Sequence, residues 1–277
     1  MRSIIIIISH IRSFDLQSYR GVIILHGTDT LAFSAAVMAF AFSDTPVPIM
    51  LVSGNRPPMD ERSNAIDNFK TATELIMQGI APNVYVTYKN SDGGCYLHLG
   101  SRIMQCRNYS EDFYSVGGEL VSSPALFEKC KQLSRAVRPV KCPNSLAGGV
   151  MMLMPYTGLD YSRISLEGVR GVVHGTYHSG TLCVERNFES KAYSAFSALY
   201  FANACKSAGI PFFIAPSRLD SEQYSSVYDM CKNSDAVLLD LTLEAAYAKL
   251  VLGVSLGMLG EELEKFMLTQ INSEFNA

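Results

Sequence analysis

Short apolar runs alternate along the chain with segments whose apolar residues recur at helical spacing. The runs are nearly continuous in aliphatic residues, which is typical of strands covered on both faces of a sheet. The predicted strands are Val22–Leu25, Pro48–Val52, Asn83–Tyr88, Val150–Met154, Val169–Val173, Pro211–Ala215 and Ala236–Leu239. The predicted helices are Leu31–Phe42, Ser63–Gln78, Lys191–Ala208, Ser221–Cys231 and Leu243–Leu256. This alternation predicts an α/β fold with mainly parallel sheets flanked by helices.

A long irregular region divides the chain. Turn-forming residues cluster between residues 109 and 149, among them Gly117-Gly118, Pro139, Pro143 and Gly148-Gly149. Such clusters mark loops and junctions between periodic segments. We therefore predict an N-terminal domain over residues 1–147 and a C-terminal α/β domain over residues 148–277.

The composition narrows the possible functions. A chain of 277 residues with 48% hydrophobic content can build one large core or two ordinary ones. Its continuous aliphatic block, Ile4–Ile8, is far shorter than the roughly 20 residues of a membrane-spanning helix, and no signal-peptide cleavage site follows it. We therefore expect a cytoplasmic protein without a membrane partner. The formal net charge of −3 shows no basic excess, which predicts a small-molecule substrate and no nucleic-acid partner.

The cysteines give no sign of a metal or disulfide framework. There are seven of them, irregularly spaced and without a C-x-x-C pair, which is typical of reduced thiols. The G-x-G-x-x-G pattern of dinucleotide-binding proteins is also missing from the first strand–helix junction. We therefore predict neither a metal nor a cofactor.

A small polar cluster, His26-Gly27-Thr28-Asp29, follows the first predicted strand and precedes a helix. In an open parallel sheet, ligands bind outside the carboxyl ends of the strands. The free N–H groups at a helix start also favour oxygen-bearing side chains or an anionic ligand, and Gly27 permits a tight turn. A helix cap with a hydrogen-bonded histidine behind it explains the same residues, so the local pattern leaves both interpretations open.

The stretch HGTDTL at residues 26–31 resembles the signature of the bacterial-type L-asparaginase family. Further stretches resemble other segments of that family in the same order: VSGNRPP at 52–58, SNAIDNFKTA at 63–72, GSRIMQCRNYSEDFYS at 100–115, GVRGVVHGTYHSGT at 168–181 and LTLEAAYAKL at 241–250. The resemblance covers nearly the whole chain. It implies a two-domain asparaginase-like fold and an amidohydrolase that converts L-asparagine to L-aspartate and ammonia.

The resemblance also implies roles for particular residues. In the family, a threonine from a glycine-rich loop attacks the side-chain amide, while a second threonine, an aspartate and a lysine handle the proton. The second threonine corresponds to Thr28. The aspartate, which also contacts the α-ammonium of the substrate, corresponds to Asp29. Substrate contacts are implied for four further residues: Gly27, Ser53, Gly54 and Thr181.

Two departures from the family pattern predict very weak hydrolysis or none. The family's first strand, its Thr-Gly-Gly-Thr nucleophile loop and its flap precede the signature by a long stretch, whereas only 25 residues precede His26 here. The start of the chain is therefore expected to be truncated or degenerate. The position of the family's lysine holds Gln105, whose neutral amide cannot carry charge or activate a neighbouring hydroxyl.

Three functions remain open on this basis. They are an asparaginase-type amidohydrolase, a catalytically inactive homologue with a binding or regulatory role, and an amidotransferase-like subunit. The resemblance implies a homodimer or a dimer of dimers, in which the turn from His174 to Thr181 is directed at the partner's Thr28 site. His174 and His178 flank a glycine-rich turn and are expected to be structural.

Two further expectations concern single short segments. The run Ile4–Ile8 is β-branched throughout, so it is a candidate replacement for the missing strand beside Val22–Leu25. Asn64 stands at a predicted helix start, where relatives often have aspartate. Since asparagine and aspartate cap helices about equally well, we expect Asn64 to cap this helix.

Overall fold

The computed structural model of the chain describes residues 2–135, 138–187, 189–190, 192–217 and 223–275, apart from the side chains at 2, 119 and 135. The chain divides into two compact units. The first unit spans residues 1–146 and also contains the segment Gln270–Asn276, here called the returning segment; the second spans residues 147–269. The division predicted from the sequence, 1–147 and 148–277, does not include this return of the chain to the first unit.

The first unit is built on a mixed five-stranded sheet. Three parallel strands come first in the chain: β1 (Val22–Leu25), β2 (Ile49–Val52) and β3 (Val84–Lys89). Two antiparallel strands extend the sheet: β4 (Cys95–Leu99), which pairs with β3, and β7 (Glu119–Leu120), which pairs with β4. A separate antiparallel pair is formed by β5 (Ile103–Met104) and β6 (Tyr114–Ser115). The order of the larger sheet is therefore β1-β2-β3-β4-β7.

Helices cover both faces of this sheet. They are α1 (Arg2–Arg12), α2 (Leu31–Ala41), α3 (Ala65–Met77) and α4 (Leu126–Arg135). Ile49 and Leu51 of β2 belong to one buried cluster with α1 and α2, whereas the alternate residues Met50 and Val52 belong to a second cluster with α3 and α4. Because successive strand residues point to opposite faces, β2 supplies both cores. The near-continuous apolar runs of the sequence follow from this double coverage.

The first helix shows that one expectation was wrong. The run Ile4–Ile8 lies within α1 and adds no strand beside β1, which is an edge strand of the described sheet. Ile4, Ile8 and Ile11 are buried in the cluster that contains α2, whereas Ile6 is 68% exposed. Spacings of four and three residues place the buried isoleucines on one helix face. Burial of that face outweighs the preference of β-branched residues for strands.

The returning segment enters the first unit through buried polar contacts. Asn272 is fully buried and exchanges two side-chain amide hydrogen bonds with Asn83, of 3.0 and 2.9 Å. The side-chain Nδ2 of Asn272 also donates to the main-chain carbonyl of Ala39 at 2.7 Å. The main-chain carbonyl of Asn272 accepts from Ser101 Oγ at 2.6 Å. Buried polar groups are costly unless they are paired, so these bonds fix the segment in one place.

The second unit contains a four-stranded parallel sheet. Its strands are β8 (Val150–Leu153), β9 (Gly171–His174), β10 (Phe212–Ile214) and β11 (Val237–Leu238), in the order β11-β10-β9-β8. Its helices are α5 (Ala198–Ser207), α6 (Ser225–Asn233), α7 (Leu243–Ser255) and α8 (Gly260–Leu268). Short 3₁₀ helices occur at Leu16–Ser18 in the first unit and Tyr161–Arg163 in the second.

The helix predicted over 191–208 begins only at Ala198. Ser197 caps it, since its Oγ accepts a hydrogen bond from the N–H of Leu199 at 3.2 Å. Residue 191 and the first two residues of the helix predicted over 221–231 lie outside the described residues. Helices α4 and α8 were not predicted.

Within the described ranges, no helix combines the length and apolar content that crossing a membrane requires.

Candidate active site

The polar cluster lies at the carboxyl end of β1, directly before α2. The N–H of His26 donates to the carbonyl of Val52 at 2.8 Å, which continues the pairing of β1 with β2 by one residue. The carbonyl of Thr28 then accepts from the N–H of Leu31 at 3.3 Å, where the helix begins. Thr28 is half-buried and Asp29 is exposed. Both residues therefore stand at the sheet edge where open α/β proteins bind ligands.

A cleft of about 420 Å³ opens at this edge. It is bounded by the ends of β1 and β3, by the loop after β2 and by the segment that follows β5. The lining residues are Thr28, Asp29, Asn55, Tyr88, Gln105, Cys106, Arg107, Asn108, Tyr109, Ser110 and Glu111. Carboxylates, a guanidinium, amides and hydroxyls thus share one cleft, here called the β1 cleft.

Gln105 and Thr28 meet in this cleft. The Nε2 of Gln105 donates to the main-chain carbonyl of Thr28 at 3.0 Å. The bond holds the turn that carries Thr28, but an amide can neither accept a proton nor supply the positive charge of a lysine. This side chain therefore positions the turn and does not act as an acid or base.

The far wall of the cleft is formed by residues for which the sequence predicted no role in the site. Asn55 donates through Nδ2 to Glu111 Oε2 at 2.7 Å, which ties the loop after β2 to the segment after β5. Cys106 is half-buried, and burial raises the pKa of its thiol to about 11. The thiol is therefore protonated near neutral pH and is a poor nucleophile. Arg107 is exposed on the same wall.

The expectation that Asn64 caps the following helix was wrong. Asn64 occupies the position before α3, yet its side chain makes no capping hydrogen bond. Instead its Oδ1 accepts from the N–H of Asn55 at 2.9 Å, while its own N–H donates to Asn55 Oδ1 at 3.1 Å. Its Nδ2 donates to the carbonyl of Lys89 at 2.8 Å. Asn64 therefore fixes the loop that presents Asn55 to the cleft.

Ser53 and Gly54 do not line the β1 cleft. Ser53 is buried, and its carbonyl accepts from Asn68 Nδ2 at 2.9 Å. A Cβ on Gly54 would lie 2.5 Å from the Cβ of Ala65, so glycine is needed there for the close approach of α3. The substrate contacts implied for Ser53 and Gly54 remain predictions.

Gly27 and Thr181 lie in different units. A Cβ on Gly27 would meet no atom within 4 Å, so space does not require glycine at this position. Thr181 belongs to the second unit, in the turn after β9. Its hydroxyl lies 2.9 Å from Ser179 Oγ, and its carbonyl accepts from the N–H of Tyr177 at 3.0 Å.

His174 is buried in the second unit and has a structural environment. Its Nδ1 lies 2.6 Å from the carbonyl of Gly175 and its Nε2 lies 2.7 Å from the hydroxyl of Tyr161. Burial lowers the pKa of His174 to about 4, so the ring is neutral near pH 7.

Comparison with known proteins shows what the chain is similar to. Residues 2–119 match the family model described as Asparaginase, N-terminal. The chain is 31% identical over 175 residues to a component of the glutamyl-tRNA(Gln) amidotransferase of Archaeoglobus fulgidus, and the match covers 58% of this chain and 41% of that protein. It is 29% identical over 119 residues to an L-asparaginase of Thermococcus kodakarensis, and this match covers 39% of this chain and 34% of that protein. The chain thus spans less than half the length of these relatives.

Two solved structures extend the likeness to both units. The thermostable L-asparaginase from Thermococcus kodakarensis matches 99% of this chain and 81% of its own, with a TM-score of 0.73 and 19% identity. L-asparaginase I from Vibrio cholerae matches 99% of this chain and 81% of its own, with a TM-score of 0.67 and 18% identity. The fold is therefore the α/β fold of L-asparaginases, as predicted. The family-model match, the L-asparaginase relatives and the shared fold together support an asparaginase-family member.

Proposed function

We propose that the β1 cleft binds an amide-bearing α-amino acid, with L-asparagine as the first candidate. The observation that carries the proposal is that Thr28, Asp29 and Gln105 line one cleft at the carboxyl edge of the parallel strands. These positions correspond to the second threonine, the aspartate and the lysine implied by the family resemblance. In this proposal the chain is an asparaginase-type amidohydrolase in its architecture, with hydrolysis of L-asparagine that is very weak or absent.

The charges of the cleft suit a zwitterionic ligand. Asp29 is exposed, and its carboxylate accepts no hydrogen bond from the described residues, so it is available to an α-ammonium group. Arg107 is the guanidinium among the described residues that line the cleft, and it can take an α-carboxylate through two parallel hydrogen bonds. Asn55 offers donor and acceptor atoms to a side-chain amide.

The residues that line the β1 cleft do not favour efficient hydrolysis of L-asparagine. Thr28 can offer a hydroxyl, but Gln105 cannot accept its proton or lower its pKa. General acid–base assistance is typically worth about 10² to 10⁴ in rate, and positioned nucleophiles add further factors. We therefore expect binding to survive where hydrolysis does not.

The test separates binding from hydrolysis in the same preparation. Isothermal titration calorimetry with L-asparagine should give saturable binding to the full chain, and Asp29→Asn should weaken it about tenfold or more by removing the charge opposite the α-ammonium. Asp235→Asn is the matched control, because Asp235 pairs with Lys206 on the surface of the second unit at 2.8 Å. Ammonia release measured alongside should remain near the uncatalysed background.

Two results contradict the proposal. No heat of binding for L-asparagine, L-glutamine or L-aspartate would refute the ligand class. Ammonia release at the rate of an efficient amidohydrolase would refute the assignment of Gln105 as the missing catalytic position.

A second candidate is an amidotransferase-like subunit. It is favoured by relatives such as the Archaeoglobus fulgidus protein, whose name places it in glutamyl-tRNA(Gln) amidotransferase. An electrophoretic mobility assay with glutamyl-tRNA(Gln) discriminates this candidate. A shift competed by glutamylated but not by uncharged tRNA would support it, whereas the net charge of −3 predicts no shift.

The assembly and location of the chain are part of the proposal. We expect a homodimer or a dimer of dimers in the cytoplasm, as the family resemblance implies. Size-exclusion chromatography with light scattering measures the assembly, and a monomer at micromolar concentration would contradict it.

A further inference from the structure

The second unit contains a cleft of its own that is lined by four aromatic rings. It has a volume of about 410 Å³ and lies beside the loops that follow β8 and β9. Its rings are those of Tyr156, Tyr161, Tyr177 and Phe196, and these residues with Glu185 are here called the aromatic cleft. Tyr156 is 61% exposed and Phe196 is 46% exposed, so large ring surfaces face solvent around the opening. Clustered exposed rings of this kind mark binding surfaces more often than single ones do.

Glu185 gives the aromatic cleft a negative charge. It is the charged side chain among the described residues that line the cleft. Its Oε2 accepts a hydrogen bond from Ser194 Oγ at 2.8 Å. Its Oε1 makes neither a hydrogen bond nor an ion pair with the described part of the chain. One carboxylate oxygen is therefore left for a ligand.

Tyr161 adds an acceptor and no donor to the cleft. The carbonyl of Gly175 can only accept, so Nδ1 of His174 carries the ring proton and donates across 2.6 Å. Nε2 of His174 is then an acceptor, and the hydroxyl of Tyr161 must donate to it across 2.7 Å. Because a phenol has one proton, the hydroxyl of the buried Tyr161 has no proton left to donate to a ligand.

We propose that the aromatic cleft binds an alkylammonium cation. Aromatic faces attract cations through the ring quadrupole, and a carboxylate beside the rings adds direct charge attraction. Two side chains next to the cleft in sequence already make a cation–π contact, because the guanidinium carbon of Arg186 lies 4.2 Å from the centroid of the Tyr193 ring. The site lies wholly in the second unit and is independent of the function proposed for the β1 cleft.

The test compares ligands of one shape with and without charge. Choline and its neutral isostere 3,3-dimethylbutan-1-ol are titrated into the full chain and followed by calorimetry and by saturation-transfer NMR. Choline should bind at least about tenfold more tightly than the alcohol, since several rings and Glu185 contribute together. Ethanolamine is the third ligand; tighter binding than choline would identify a primary ammonium as the preferred cation.

Matched variants locate the bound cation. Glu185→Gln should weaken choline binding about fivefold, and Tyr156→Ala should weaken it about three- to fivefold. Two variants serve as controls. Tyr156→Phe keeps the aromatic ring, and Glu167→Gln removes an exposed charge of the same unit that lies outside the cleft. Neither should change the affinity for choline by more than about twofold. Unchanged melting temperatures in all four variants establish that the fold is intact.

Three outcomes overturn the proposal. Equal affinity for choline and the neutral alcohol would make the cleft an apolar site without charge preference. Choline binding that survives both Glu185→Gln and Tyr156→Ala would place the cation elsewhere. Absence of binding by all three ligands at millimolar concentration would remove the site altogether.

Discussion

Replacing Ile8 by alanine tests the packing of the first helix. Ile8 is 2% exposed and belongs to the buried cluster shared by α1 and α2. The substitution removes three buried carbon groups, worth about 0.8 kcal/mol each, and leaves a cavity. We therefore expect the free energy of unfolding to fall by about 3 kcal/mol, within the range of 2–5 kcal/mol typical of buried aliphatic truncations. In a chain of this size that corresponds to a melting temperature lower by about 6–12 °C.

Ile6→Ala is the matched control, because it makes the same chemical change two residues away. Ile6 is 68% exposed, so little apolar surface returns to water when it is shortened. Alanine also favours a helix more than isoleucine does, by about 0.4 kcal/mol. The control should therefore change the free energy of unfolding by less than about 0.5 kcal/mol.

The assay is thermal and urea unfolding of the full chain, followed by far-ultraviolet circular dichroism. The comparison distinguishes a helix from a strand directly. In a strand, Ile4, Ile6 and Ile8 would share one face, and both substitutions would be equally costly. Equal losses for Ile6→Ala and Ile8→Ala, or no loss for either, would refute the packing described for α1.

Three further predictions concern the remaining features. Gly54→Ala should destabilise the chain by about 1–3 kcal/mol in urea unfolding, because the added Cβ would lie 2.5 Å from the Cβ of Ala65. Gly27→Ala is the control and should be neutral, because its added Cβ would meet no atom within 4 Å. Equal effects of the two substitutions would contradict the close approach of α3 to Gly54. Burial lowers the pKa values of His98 and His174 from 6.5 to about 4, so the unfolded chain binds more protons than the folded chain between these values, and stability should fall as the pH falls through this window. Between pH 7 and pH 5 the free energy of unfolding, measured from urea midpoints, should fall by about 2 kcal/mol per histidine. His98→Gln should make this fall smaller. An unchanged fall in that variant would refute the contribution of His98 to the pH dependence. Gln105→Lys should leave ammonia release from L-asparagine near background, because one cation supplies only part of the proton-handling set; a gain above about 10³-fold would show that the lysine position alone limits the chemistry.

The parallel strands of both sheets could be predicted from their apolar runs, whereas the antiparallel strands β4 to β7 were not predicted. β2 was predicted at Pro48–Val52 and lies at Ile49–Val52 with all four residues buried, because an apolar run without polar interruption is typical of a strand covered on both faces. Helix α1 was missed for a related reason. Isoleucine as a residue type favours a strand, whereas the spacing of Ile4, Ile8 and Ile11 favours a helix. The contact of these residues with α2 stabilises the helix, and that contact is not visible in the local sequence.

The candidate site could be predicted only in part. Thr28 and Asp29 follow from the strand–turn–helix order and from the rule for ligand sites in open sheets. The opposite wall depends on contacts between distant parts of the chain, such as the bond from Asn55 to Glu111, which are 56 residues apart. No local pattern encodes such a pair. Asn64 illustrates the same limit, because its partners, Asn55 and the carbonyl of Lys89, outcompete the cap that its position suggested.

The returning segment has a consequence for how the chain is made. Residues 147–269 must leave the ribosome before Asn272 can meet Asn83, Ala39 and the hydroxyl of Ser101. Until then Asn83 Nδ2, the carbonyl of Ala39 and the hydroxyl of Ser101 lack the partners that Asn272 supplies. The first unit therefore cannot be finished in the order in which it is translated. A fragment cut at residue 147 would be an incomplete unit even though it contains every strand of the larger sheet.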